Sequence, residues 1–175
     1  MGMMRKMRNW LSFSGRDRVI NKQARDDGDI LYGSHALKKR VGFGMVSRPP
    51  KDYDFYSDSP QRSANKLQRN LDMESGGDNY HYRKKNIEGN DVFMVYHNGD
   101  DMIPYTDDDV KIADYMKKKR GVIFDNIDGM NMVRPSKMLK DKMRTVRNPR
   151  YSYRHDKDKK DIMSLKISKR LGWLR

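Results

Sequence analysis

The 175-residue chain contains no cysteine, which excludes disulfides, thiolate nucleophiles and zinc sites built on sulfur. Histidine is scarce as well. His35, His81, His97 and His155 are scattered, and no two stand one helical turn apart as a metal-binding pair would. Apolar residues make up only 35% of the chain, and no run approaches the roughly 18 consecutive apolar residues that span a bilayer. Acid is short relative to base: 24 Asp and Glu face 38 Lys and Arg, for a net charge of +14. Such a surplus attracts polyanions over a Debye length or more, so nucleic acid, nucleotides or an anionic assembly are the expected partners. The other reading of the surplus is solubility alone. A soluble, intracellular (cytoplasmic) protein is expected, with association with a virion as the alternative location. The length fits one domain or two, with a real but modest core.

Along the chain, the first sixteen residues carry Arg5, Lys6, Arg8 and Arg16 and no acid, around Met3, Met4, Met7, Trp10, Leu11 and Phe13. They read as a loose basic arm or a partner-binding tail, with an organelle presequence or a membrane-surface helix as alternatives. Residues 15–28 are helix-compatible. Asp29-Ile30-Leu31-Tyr32-Gly33 predicts a short buried strand, and Ser34 caps a helix over 35–40. Gly42, Gly44, Pro49 and Pro50 make 41–51 a loop that enters an extended segment, Lys51 to Tyr56, where acids alternate with aromatics. Asp58-Ser59-Pro60 opens a helix with Ala64, Leu67 and Leu71 on one stripe, stopped at Gly76-Gly77. Tyr80–Lys85 and Asp91–Tyr96 form a hairpin through Glu88-Gly89-Asn90. A strand over 109–114 follows, and 121–124 reads as a further short one. Beyond Pro135 the pattern is helical, with Met138, Leu139 and Met143 on one helix. After a break at Asn148-Pro149, a last helix runs from 155 to 171 with Ile162, Leu165, Ile167 and Leu171 as its apolar positions. The expected plan is α+β (α/β-like): a small mixed sheet with flanking helices and a helical C-terminal part. The parts are a basic arm and first helix (1–28), a core (29–130) and a helical end (131–175).

Three pieces carry chemistry. Gly33-Ser34 stands where a strand gives way to a helix, so backbone amides, the helix start and a hydroxyl can hold phosphate oxygens. Asp52 and Asp54 are two apart in a strand, so their carboxylates share a face and repel unless a cation sits between them. Asp114 closes an apolar strand. Each piece alone also has an ordinary reading, as a turn and cap, a surface acid pair and a turn residue.

In this order the pieces resemble the signature of the DNA polymerase beta-like nucleotidyltransferase superfamily: Leu31-Tyr32-Gly33-Ser34, then Lys51-Asp52-Tyr53-Asp54-Phe55, then Lys111-Ile112-Ala113-Asp114. Met138-Leu139-Lys140-Asp141-Lys142-Met143-Arg144 followed by Lys157-Asp158-Lys159-Lys160-Asp161-Ile162 resembles the minimal, AbiEii-like branch. The resemblance covers residues 29–165, and its Gly-Ser and Asp-x-Asp core is the most specific part. It implies a nucleotidyltransferase core in which Gly33 and Ser34 grip the β- and γ-phosphates of a nucleoside triphosphate. Asp52 and Asp54 would hold two Mg²⁺ ions, and Asp114 would complete the site of the ion that activates the attacking hydroxyl. Lys142, or Lys140 in its place, would neutralise triphosphate charge, while Asp158 and Asp161 would order the helical part. The sequence departs from the family in a long Gly- and Pro-containing loop before Asp52 and in the bulky Tyr53 between the acids.

Lys117, Lys118, Lys119 and Arg120 directly follow the third acid and read as a solvated face or as a guide for an RNA backbone. Tyr80, Tyr82, Tyr151 and Tyr153 interleave with cations and read as base-stacking residues or as packing residues. Two functions follow. The first is Mg²⁺-dependent transfer of a nucleotidyl group to a hydroxyl of RNA, such as tRNA, or of protein, in a toxin, defence or viral setting. The second is a catalytically silent basic protein of the same fold, structural in a virion or ribonucleoprotein and meeting partners through its basic termini.

Overall fold

A computed structural model describes residues 13–41 and 50–172. The basic arm at Arg5 to Arg8, the presequence or membrane-surface reading of the N-terminus, most of the loop before Asp52 and the end of the basic C-terminus lie outside the described residues. Among those described, no helix is long and apolar enough to cross a membrane. Among the described residues the architecture is α+β, with five helices and a seven-stranded mixed sheet in the spatial order Tyr80–Ile87, Asn90–His97, Val110–Lys117, Tyr53–Ser57, Ile30–Tyr32, Met130–Val133, Phe124–Ile127. The described residues divide into two compact units, 13–29 with 55–118, and 30–41 and 50–54 with 119–172.

The first unit is built on helices α1 (Phe13–Asp27) and α3 (Pro60–Ser75) and strands β3 (Tyr80–Ile87), β4 (Asn90–His97) and β5 (Val110–Lys117), with the end of β2 (Tyr53–Ser57). Pro60 stands at the first position of α3, as expected, yet Ser59 makes no side-chain cap. Ser57 Oγ instead accepts the Ser59 amide at 3.0 Å. Gly76 ends the helix in the left-handed conformation, its amide donating to Asp72 O. Ala64, Leu67 and Leu71 are the buried stripe, as their spacing predicts, and α3 packs on β3, β4 and β5. Glu88 and Gly89 both take positive φ, the turn that matches the strand twist of a hairpin. Tyr80 is buried and Tyr82 half-buried, while Tyr153 is exposed.

Beneath α3 lies a buried polar knot. Gln23 donates to Ser63 O at 2.8 Å, Ser57 and Ser63 share a hydrogen bond of 2.8 Å, and Ser63 Oγ reaches Asp29 Oδ1 at 3.4 Å. Burial raises the Asp29 carboxyl to about 6, against the opposing pull of Ser57 and Ser63. The folded protein therefore keeps a proton that the unfolded chain has lost between about pH 4 and 6, and stability falls as pH rises through that window. The loss is about 3 kcal/mol. Asp29→Asn should remove this slope and be the more stable protein at pH 7.5, measured by urea denaturation at both ends of the window.

The second unit holds β1 (Ile30–Tyr32), α2 (Gly33–Val41), the start of β2, β6 (Phe124–Ile127), β7 (Met130–Val133), α4 (Pro135–Arg147), a 3₁₀ turn (Pro149–Arg154) and α5 (His155–Arg170). The β6–β7 hairpin departs from expectation. The short strand predicted over 121–124 begins only at Phe124, and β7 was not predicted. Its turn is Asp128-Gly129, both at positive φ, an Asp-Gly pair between extended segments that is itself a hairpin signal. β7 pairs in parallel with β1, Leu31 opposite Met132.

Arg40 of α2 is 1% exposed. It donates to Met132 O at 2.8 Å and meets Asp125 at 3.3 Å, clamping α2 to the hairpin. Burial lowers its pKa, and Asp125 opposes that shift. Arg40→Met should cost about 2–4 kcal/mol, because a buried carbonyl loses its donor. Faster amide exchange over 124–133 is the local readout.

In α5 the structure corrects the expected apolar stripe. Of Ile162, Leu165, Ile167 and Leu171, only Leu165 is fully buried, and the inner face is Asp158, Asp161, Ser164, Leu165 and Ser168. The ion pairs described below decide that face.

Candidate active site

Strand β2 alternates. Tyr53, Phe55 and Ser57 are buried, and Asp54 and Tyr56 point the other way. Asp52, one residue before the strand, shares the face of Asp54 by the two-residue period. The buried side explains the bulky Tyr53: its ring stacks on His35 of α2 at 3.7 Å between centroids and 15° between planes. The aromatic between the acids therefore anchors the strand to α2 and leaves the opposite face to the carboxylates. His35 was not singled out in the sequence, where nothing but its position on the predicted helix marks it.

Gly33 follows β1 and opens α2 two residues before the predicted start at His35, so Ser34 lies half-buried in the first turn and not at a cap before it. Gly33 has φ +69°, and a Cβ there would collide with Asp54 Oδ2 and come 2.9 Å from Asp54 Cγ. The backbone at the start of α2 thus lies directly against the Asp54 carboxylate, an approach that only glycine permits.

Asp114 lies inside β5, which runs on to Lys117 and does not stop at Asp114 as predicted. Ala113 pairs with Val95 and Lys111 with Tyr96, so Ile112 is an extra residue in the ladder. This bulge restarts the alternation and brings Lys111 to the face of Asp114. Lys111 Nζ holds Asp114 Oδ2 at 2.7 Å. One carboxylate oxygen from each of Asp52, Asp54 and Asp114 lies within 4.8 Å of the others, and all three residues are half-buried. Mg²⁺ bonds of 2.0–2.1 Å in octahedral geometry space their oxygens roughly 3–4 Å apart. The donor set is all hard oxygen, the ligand type Mg²⁺ takes, gathered within 4.8 Å.

No protein-family model and no curated protein sequence matches the chain. Its fold is shared with a polyadenylate synthase. The crystal structure of the Megavirus polyadenylate synthase superposes on 95% of this chain with a TM-score of 0.68 at 18% identity. The likeness is one of fold alone. The chain spans about a third of that protein's length, 34%. JHP933 from Helicobacter pylori aligns over 77% of this chain and 58% of its own length, at 18% identity and a TM-score of 0.47.

The remaining candidates fall elsewhere in the two units. Lys142 is buried in α4, its Nζ 3.1 Å from Asp158 Oδ1 and 2.6 Å from Asp161 Oδ2. Arg154 donates to the second oxygen of Asp158 at 3.0 Å. Lys140, two residues away on the same helix, is exposed. Lys117 closes β5 and donates to Asp58 O, and the Lys118 amide donates to Ser57 O at 2.9 Å. Lys119 and Arg120 stand exposed in the turn that follows.

Proposed function

We propose that the chain is a Mg²⁺-dependent nucleotidyltransferase that joins the α-phosphate of a nucleoside triphosphate to a hydroxyl of RNA. The observation that carries this reading is the carboxylate trio with the Gly33 backbone lying on one member of it. Like charges gathered at half-buried positions repel one another, and a divalent cation among them relieves that repulsion. The fold shared with a polyadenylate synthase supports the reaction class, and the net charge of +14 supports a nucleic acid as acceptor.

In this reading Asp52, Asp54 and Asp114 hold the metal, and the Gly33 amide and Ser34 hydroxyl orient the triphosphate at the start of α2. The bound metal would supply a Lewis acid for the acceptor hydroxyl and neutralise the leaving charge. The acceptor oxygen attacks the α-phosphorus, the bond to the β-phosphate bridge breaks, pyrophosphate leaves with the electron pair and the hydroxyl proton passes to water. Lys119 and Arg120, exposed beyond β5, steer the RNA backbone. Lys142 positions α4.

The test incubates the protein with each α-³²P-labelled nucleoside triphosphate, Mg²⁺ and bulk RNA. Label should enter RNA and stop when the metal is chelated. Label on protein would move the acceptor, and RNA binding with no transfer from any triphosphate would overturn the enzyme in favour of the silent, structural protein.

A further inference from the structure

Helices α4 and α5 leave a groove of about 650 Å³ between them. Its floor is aliphatic, made by Leu139, Met143 and Leu165, and no aromatic residue lines it. Its rim is basic. Lys140, Arg144, Arg147, Lys166 and Lys169 border the groove together with Arg134, and no acid does. Arg134 is paired with Asp125, but the other five make no ion pair among the described residues. Of the four carboxylates on these two helices, Asp141 is engaged with Lys137 and Asp158 and Asp161 with Lys142, and Asp156 does not line the groove.

We propose that this groove docks an acidic, amphipathic helix of a partner protein, with aliphatic anchors on the floor and carboxylates on the rim. Two features favour this occupant. Five cations with no counter-charge demand acid along both walls, and like-charge crowding makes the empty groove unfavourable. The floor suits aliphatic knobs at helical spacing, and Met143 lets it adapt to them. Single-stranded RNA would meet the cations but find no ring on which to stack a base, the contact that gives such complexes much of their affinity. The thirteen residues of α4 run roughly 20 Å, so the partner segment is about four turns long. The groove and its partner do not depend on the proposed enzymatic reaction.

The experiment titrates the full chain with a fluorescein-labelled 16-residue peptide carrying Leu at helical spacing and Glu on either side. The comparison ligands are a scrambled peptide of the same composition and an oligoribonucleotide. The amphipathic peptide should bind at least tenfold more tightly than the scrambled one. Its affinity should fall at least tenfold in Arg144→Glu/Lys169→Glu and also in Met143→Lys, which changes the floor. Equal binding of the two peptides would make the surface a generic polyanion site, and no binding at all would remove the site; either result overturns the proposal. So would an oligoribonucleotide that displaces the peptide and loses affinity in the same variants, because the groove would then belong to RNA. Arg144 and Lys169 are exposed, so circular dichroism melting of that variant should match the wild type, and the charge-reversal comparison stands if Met143→Lys fails to fold.

Discussion

Asp54→Asn is expected to lower nucleotidyl transfer at least a thousandfold while leaving the metal-free protein as stable as the wild type or more so. The two halves of this result have one cause. Asp54 shares a face with Asp52, and an oxygen of each lies within 4.8 Å of one from Asp114. Without the metal, Lys111 meets Asp114 at 2.7 Å, and removing one of the like charges relieves their mutual repulsion. With the metal of the proposed reaction, the same oxygens would be its ligands, and an amide is a poor substitute for a carboxylate on a hard cation. Thermal melting reads this without knowledge of the substrate. Mg²⁺ at about a hundred times its dissociation constant should stabilise the wild type by about 2.7 kcal/mol and the variant by much less. Gly33→Ala is the companion. It forces a Cβ onto Asp54 at a backbone φ of +69°, so it should lose both transfer and about 1–3 kcal/mol of stability. Transfer retained within tenfold in Asp54→Asn, or an equal Mg²⁺ response in both proteins, would remove the carboxylates from the chemistry.

Elements whose local signals agree were legible in the sequence. The α3 stripe, its Gly76 stop and the Glu88-Gly89 hairpin all follow from spacing and turn chemistry acting within a few residues. Asp52 and Asp54 share a face because the strand period is two, which is also local. What stayed hidden depends on distant partners. The bulge at Ile112 is defined against β4, so neither the continuation of β5 to Lys117 nor the approach of Lys111 to Asp114 could be read from β5 alone. The contact between Gly33 and Asp54 joins residues 21 apart in sequence, so the Gly-Ser pattern marked the position while the reason for glycine awaited the fold. Tyr53 looked like a departure from the family pattern until His35 stood beneath it. In α5 the apolar positions misled, because a helix turns inward whichever face completes its environment, and here that face carries Asp158 and Asp161 to meet Lys142. The β6–β7 hairpin is the exception, since its Asp128-Gly129 turn is itself a local signal.

Lys142→Met should cost about 3–5 kcal/mol, the largest stability loss expected of any single substitution in the second unit. Asp158 is fully buried and Asp161 is 3% exposed. Lys142 bonds to both carboxylates, while Arg154 reaches only the second oxygen of Asp158. Removing the ammonium therefore leaves Asp161 buried beside another acid with no cation on it. At the 2–4 °C per kcal/mol usual for a chain of this size, the melting temperature should drop roughly 10 °C. Adding Asp161→Leu to Lys142→Met removes the stranded charge along with the lost one and should recover most of the stability. Transfer decides what Lys142 does beyond that. An ammonium already bonded to two carboxylates inside the helical pair acts by placing α4, so transfer should return together with the fold in the double variant. A double variant that melts like the wild type yet transfers a hundredfold more slowly would instead put the Lys142 ammonium on the triphosphate.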